Sequence, residues 1–540
     1  MNFSAITYVL SLLWMLLGLC MLLVAGIVGG IYDTPRQAWT MGLTALVPLA
    51  LGVTAFLFFR RKQDSTAMSS DRRMGYATVA LAWLSASVLG ALPFITVSQF
   101  TPVDAIFETA SGLTTTGASI IDDTQKLLYG KTLEGGLESL PRCILFWRST
   151  LNWLGGVGIV YFVLLVLPLL HLSQGKQLYN AEVPGIKTSG DQLTPRLNSS
   201  VLYILLLYIA ITATAGVTYW ICGMSPFDAI NHAFTTISTG GFSTKAASLG
   251  AFGPAVQWSV TFIMLVSACN FSLYLRFIIT RRFSCFRDEE FRFFCAMILA
   301  ATAIITFCLM AKPGNKEPFS NVNDLSSIQK FELCLRTAAF HVATVGSTTG
   351  FTTSNYETWG QDDRDDNKDT KDNHTGYKEP KGGLPTVLII LGIMMLPCGC
   401  GGSTAGGMKC SRLIVLAKQL LYEIKHCIFP RSLPDIRLNG ERLDSDVVAK
   451  TFAFTALYIC IFIIVAVLLT LVEQCSLKTA LGTALSAISN VGPGFGHTCP
   501  AYTFSWMTDF SKCLSALTMI TGRPELYTIL TLFIPSFWRR

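Results

Sequence analysis

Four stretches of this chain repeat one arrangement of small and hydroxylated residues. They read TTTGAS at 114–119, STGGFST at 238–244, STTGFTT at 347–353 and SNVGPGFG at 489–496. Aligned on Gly117, Gly240, Gly350 and Gly492, each closes a short, moderately apolar segment whose matching residue nine positions earlier is Glu108, Asn231, His341 or Thr483. Such turns suit the binding of a dehydrated cation. A cation that sheds its water needs other oxygens, and backbone carbonyls aimed at one axis supply them. Lining up carbonyls on one side of a strand takes unusual backbone angles, which glycine adopts without a Cβ penalty. A helix placed before each turn adds the negative end of its dipole. No acidic ring is required, and none of the four turns contains Asp or Glu. One such cluster could simply let helices pack closely; four at matching positions indicate an internal repeat.

The elements that must carry these turns are membrane spans. The chain is 51% hydrophobic and 14% charged, against about 25% charged for a soluble protein. Apolar stretches near 8–30, 41–60, 76–96, 144–170, 200–222, 255–279, 292–312, 384–408, 448–472 and 513–537 are each long enough to cross about 30 Å of hydrocarbon. Every second connection is basic: Arg60, Arg61 and Lys62, then Lys176 and Lys187, then Arg281 and Arg282, then Lys418 and Lys425. These belong in the cytoplasm, with both termini. The net charge of +7 is thereby explained without nucleic acid as a partner. The alternate connections hold the four turns, and the polar stretch 361–381 is expected outside. The sixteen cysteines, such as Cys20, Cys308 and Cys460, sit mostly in apolar runs as small hydrophobes. The expected fold is an all-α polytopic membrane protein with two N-terminal spans and four span–pore-loop–span repeats around one central pore. The divisions are 1–75, 76–175, 176–285, 286–425 and 426–540.

A second cluster interrupts the span at 384–408, where residues 396–409 read LPCGCGGSTAGGMK. Gly399, Gly401, Gly402, Ser403, Thr404, Gly406 and Gly407 weaken any helix there. A loop with so little side-chain bulk moves easily and suits a gate; the alternative is a kinked, closely packed helix. The stretch is not a phosphate loop, because Met408 parts Gly407 from Lys409 and Cys410 follows. Arg523 lies inside the last apolar run, where a charge is functional or paired; Glu525 is a candidate partner. His232 and His341 are read as hydrogen-bonded packing residues, and Gly155, Gly156 and Gly158 as packing glycines. No convergent nucleophile or metal set marks an enzyme, and no span carries Arg or Lys at every third position as a voltage sensor would.

At the four turns, at AEVPGIK (181–187) with LTPR (193–196), and at the ending PSFWR (535–539), the chain resembles the Trk/Ktr/HKT superfamily of potassium transporters, in its bacterial TrkH branch. The resemblance implies potassium ion uptake across the inner membrane, with potassium as cargo and no organic cofactor. It implies that carbonyls of Thr115, Thr116 and Gly117, of Ser238, Thr239 and Gly240, of Thr348, Thr349 and Gly350, and of Asn490, Val491 and Gly492 bind the ion. Plant relatives that favour sodium often carry Ser at the first glycine, so Gly117 implies potassium, and Gly117→Ser is expected to raise sodium permeation. The resemblance further implies that 399–407 obstructs the pore beneath the filter and that Arg523 faces it. The implied partners are the lipid bilayer, a second copy in a homodimer, and a separate cytoplasmic TrkA-type nucleotide-binding regulatory subunit. Two rivals are the potassium-translocating subunit of an ATP-driven pump and a pathway permeable to sodium as well as potassium.

Overall fold

The structure is a computed structural model that describes residues 3–60, 72–158, 197–281, 287–314, 316–320, 324–361, 383–431, 435–523 and 526–539. The linker motifs at 181–187 and 193–196 and nearly all of the polar stretch 361–381 lie outside the described residues. The regular structure among the described residues is helical, apart from one two-stranded hairpin, Arg437–Leu438 with Glu441–Arg442, and two isolated bridges.

Six of the ten expected spans are unbroken helices long and apolar enough to cross a membrane: Phe3–Tyr32, Pro35–Arg60, Arg73–Thr96, Leu202–Ile221, Glu289–Ala311 and Ser445–Glu473. A helix satisfies its own backbone, which hydrocarbon demands of any lipid-facing segment. Large apolar side chains such as Leu57, Leu206, Phe307 and Leu471 stay exposed on these helices, as lipid-facing residues do. The first two helices cross closely: a Cβ on Gly52 would lie 2.8 Å from the Ser11 carbonyl oxygen. Phe3 stacks on Trp538, and Arg73 donates to the Arg539 carbonyl at 3.2 Å, so both chain ends lie on one side.

The other four expected spans are interrupted, and they are the four that follow a turn. Arg142–Val157 stops at Gly158, which is left-handed at φ +86°. Pro254–Ser267 and Phe271–Ile279 meet at a bend of 86°. Pro385–Met394 and Cys410–Ile428 are parted by residues 395–409, which form no helix. Asp509–Gly522 gives way to the short helices Leu526–Leu530 and Pro535–Trp538. The interruption at 384–408 is expected from its glycines; the bend at 268–270 and the stop at Gly158 are not. Non-helical backbone at membrane depth survives where protein buries it, and these breaks pack against one another beneath the turns.

Four shorter helices lead into the turns: Pro102–Leu113, Pro226–Ile237, Ser327–Gly346 and Leu477–Ser489. Each starts on a hydroxyl cap. The side chains of Thr101, Ser225, Ser326 and Ser476 accept from the backbone N–H of Asp104, Asp228, Gln329 and Thr479. Pro102 and Pro226 occupy the first helical position, where no N–H is needed.

Candidate functional site

All four short helices end in the same way. The residue two before a glycine is left-handed: Thr115 (φ 53°), Thr239 (55°), Thr348 (58°) and Asn490 (56°). The glycine that follows is also left-handed: Gly117 (79°), Gly241 (69°), Gly350 (84°) and Gly492 (100°). Between them the N–H of Thr116, Gly240, Thr349 and Val491 returns to the carbonyl of Ser111, Thr235, Thr344 and Ser486. The second repeat is therefore registered on Gly241, one residue beyond Gly240. The expected set Ser238, Thr239 and Gly240 moves to Thr239, Gly240 and Gly241, and Ser238 falls level with Thr114 and Ser347 at the helix end. Two glycines in succession hid the register. The caps could have revealed it, because sixteen residues separate Thr101 from Gly117, Ser225 from Gly241, and Ser476 from Gly492.

The glycines show how the turns meet. A Cβ built on Gly117 would lie 2.3 Å from the Gly240 carbonyl oxygen, one on Gly241 1.9 Å from that of Thr349, one on Gly350 2.2 Å from that of Val491, and one on Gly492 2.5 Å from that of Thr116. Each glycine thus abuts the carbonyl of the next repeat, and the fourth closes on the first. The four turns form one ring in chain order, with Thr115, Thr116, Thr239, Thr348 and Thr349 all buried. A left-handed β-branched residue is strained, at about 1–3 kcal/mol each, and three threonines take that position. The fourth repeat has Asn490, a type that visits this region readily. Its amide donates to Thr116 Oγ1 and to the Met519 carbonyl, both at 2.9 Å. Above the ring lies an open cavity of about 520 Å³ lined in part by Gly117, Gly241, Gly350 and Gly492.

Charges sit behind the ring rather than in it. Glu108 and Arg148 form a buried ion pair at 2.7 Å. Asp104 pairs with Lys512 at 2.7 Å, and Glu357 with Lys478 at 2.9 Å. Sequence reasoning missed these pairs; their signal was an acid or base inside an apolar stretch. His232 is hydrogen-bonded at both ring nitrogens, and the two nitrogens of His341 face the Thr337 and Ser354 carbonyls, to one of which a neutral ring donates. Gly155 packs so closely that a Cβ would meet the Leu113 carbonyl oxygen at 1.8 Å. At the rim of the cavity, partial burial raises the Asp122 carboxyl, but hydroxyls of Ser505, Thr503 and Thr124 outweigh it, and the group is held below the usual carboxylate range.

The interrupted span places its loop directly under the ring. Gly406 N–H donates to Thr348 Oγ1 at 2.7 Å, and Thr404 Oγ1 donates to the Ile237 and Ser267 carbonyls at 2.9 and 3.1 Å. Gly399 N–H reaches the Gly346 carbonyl at 2.9 Å, and Cys400 N–H that of Ala268 at 2.8 Å. The loop thereby occupies carbonyls that helix ends leave without partners. Gly402 and Gly407 are left-handed at 70° and 68°. Glu290 clamps both ends of the loop, accepting from Gly401 N–H at 2.9 Å and Ser411 N–H at 2.7 Å. Arg523 donates to the Thr404 carbonyl at 2.5 Å and to the Gly155 carbonyl at 3.1 Å. Lys409, fully buried, donates to the Ala405 carbonyl. The arrangement is a broken helix plugged beneath the ring rather than a kinked one. Gly401 turns towards Glu290, and Ser403 Oγ donates to the Cys400 carbonyl.

A ring of four carbonyl turns with an interrupted span beneath it defines a membrane cation-transport fold. The family model described as TrkH, cation transport protein, matches residues 45–361 and 383–540, and the chain belongs to that family. It is 33% identical to the Trk system potassium uptake protein TrkH of Salmonella typhimurium and 32% identical to that of Escherichia coli K12, in each case over the full length of both chains. Its fold matches the crystal structure of the potassium transporter TrkH from Vibrio parahaemolyticus at a TM-score of 0.79 and 27% identity, covering all of both chains.

Proposed function

We infer that this chain is a potassium uptake protein of the bacterial inner membrane, a transport pathway rather than an enzyme. The carrying observation is the closed ring in which each turn glycine abuts a carbonyl of the next repeat. In this reading the carbonyls of residues 115–117, 239–241, 348–350 and 490–492 replace the water of a potassium ion. The dipoles of four helix ends favour its positive charge. Inward movement follows the membrane potential, worth about 2.3 kcal/mol per charge per 100 mV.

Residues 399–407 act as the gate. Their hydrogen bonds go mainly to helix-end carbonyls, which water or a passing cation satisfies equally well once the loop moves aside. Arg523 latches the closed loop and sets a positive charge beneath the ring. The division into an N-terminal pair and four repeats, 76–175, 176–285, 286–425 and 426–540, follows the same reading. Both termini lie in the cytoplasm. The chain works as a homodimer with a separate cytoplasmic nucleotide-binding subunit. The basic helix Cys410–Ile428 runs directly from the gate loop towards that side and would carry the partner's signal.

The test is ion flux into proteoliposomes under an imposed potassium potential, with and without proton and sodium gradients. Potassium flux well above sodium flux is expected. Equal sodium flux would overturn the assignment of the ring as a potassium filter, and dependence on either gradient would mark coupled rather than passive entry.

A further inference from the structure

With the register set on Gly241, the residue nine before each turn glycine is Glu108, His232, His341 and Thr483. All four are buried. Each reaches past its turn to the segment that leaves it, its outgoing strand. Glu108 accepts from Ser119 Oγ at 3.1 Å and from Ile120 N–H at 3.2 Å. His232 Nδ1 faces the Asp228 carbonyl and must donate there; its Nε2 therefore accepts from Ser243 Oγ at 3.0 Å. His341 Nε2 lies 3.1 Å from the Ser354 carbonyl, and Thr483 Oγ1 lies 3.1 Å from Thr498 Oγ1.

We propose that these four residues are positioning residues for ion selectivity, each bracing the outgoing strand of its turn and so fixing how far the ring carbonyls stand from the axis. The proposal rests on the filter reading above. Three residue types, Glu, His and Thr, occupy one place, and each contacts the segment that follows its turn, which is what a geometric task requires and a task of ion chemistry would not. None of them belongs to the ring itself. Carbonyl distance is what separates potassium from sodium when a ring replaces water, and an unbraced strand lets the carbonyls close on the smaller ion.

The brace of the first repeat has the widest reach. Arg148, paired with Glu108, also donates to Ser119 Oγ and to the Ser243 carbonyl, both at 3.2 Å. Its guanidinium lies 4.0 Å over the Phe242 ring. Ser119 and Ser243 each stand two residues beyond their turn glycine, so one buried pair sets the first two strands together. The other three braces stay within their own repeat. Selectivity therefore depends most on Glu108.

The experiment measures the potassium-to-sodium permeability ratio from reversal potentials in proteoliposomes of the full-length protein, with melting temperature in detergent recorded alongside. Glu108→Gln is expected to lower the ratio several-fold. Thr483→Val, which removes one hydroxyl at nearly constant volume, is expected to lower it by about twofold to threefold at an unchanged melting temperature, and Thr483→Ser is expected to restore it. A ratio unchanged in both Glu108→Gln and Thr483→Val, while Gly117→Ser lowers it or abolishes flux, overturns the brace and leaves the filter standing. A ratio unchanged in Gly117→Ser as well overturns the filter reading itself.

Discussion

The ring and the loop beneath it are both glycine-rich, non-helical and buried at membrane depth, yet they are held in different ways. In the ring, Gly117, Gly241, Gly350 and Gly492 are needed because each is left-handed and touches a neighbouring carbonyl. The position recurs four times, and every turn is held by the one before and the one after. The loop occurs once. Gly402 and Gly407 are left-handed there too, but no repeat closes on another, and the loop's hold comes from separate bonds to Thr348, Ile237, Gly346, Glu290 and Arg523. A closed ring resists displacement of any one member. A loop tied by independent bonds to helix ends has a second state within reach, because those carbonyls can be satisfied by water.

That contrast ranks the expected effects of substitution. Changes in the ring should be the largest. Gly350→Ala puts a Cβ 2.2 Å from the Val491 carbonyl oxygen at a left-handed position, and potassium uptake should fall below detection in a strain that depends on it. Retained uptake would show that the ring is as pliable as the loop. Next comes the latch. Arg523→Gln removes a charge-assisted bond to Thr404, worth about 1.5–3 kcal/mol, so basal potassium flux should rise roughly tenfold. Glu290→Gln should act in the same direction by loosening Gly401 and Ser411. A fall in flux in both would mean that the loop supports conduction instead of obstructing it. The smallest effect belongs outside both regions. Lys245 and Glu138 pair at 3.3 Å with side chains 37% and 52% exposed, so Lys245→Ala should change stability by less than about 1 kcal/mol in thermal unfolding.

Much of this contrast was legible from residue types alone. Four clusters of Thr, Ser and Gly between apolar runs marked the ring, and seven helix-weakening residues marked the loop. The second turn is misregistered by one when Gly240 and Gly241 are read as equivalent; the sixteen-residue spacing from the cap points to Gly241, and the backbone angle shows that it must be glycine. The break at 268–270 was not legible, since SACNF carries no helix-breaking signature. It exists because Asn270 caps the next helix through Ser272 N–H, and because Cys400 takes the freed Ala268 carbonyl. The buried charges were missed for a related reason. Glu108 and Arg148 lie forty positions apart, and only the fold shows that each is the other's partner.

The most direct test of the ring compares two neighbouring alanines by potassium uptake in the full-length protein. Gly241→Ala sets a Cβ 1.9 Å from the Thr349 carbonyl oxygen at φ +69°. At Gly240 the angle is ordinary, the other repeats carry Thr116, Thr349 and Val491, and the three atoms nearest the added Cβ all belong to the Asn152 amide, the end of a side chain with no hydrogen-bond partner among the described residues. Four turns closed into one ring predict that Gly241→Ala abolishes uptake while Gly240→Ala keeps most of it. Uptake lost in Gly240→Ala and kept in Gly241→Ala would contradict the ring.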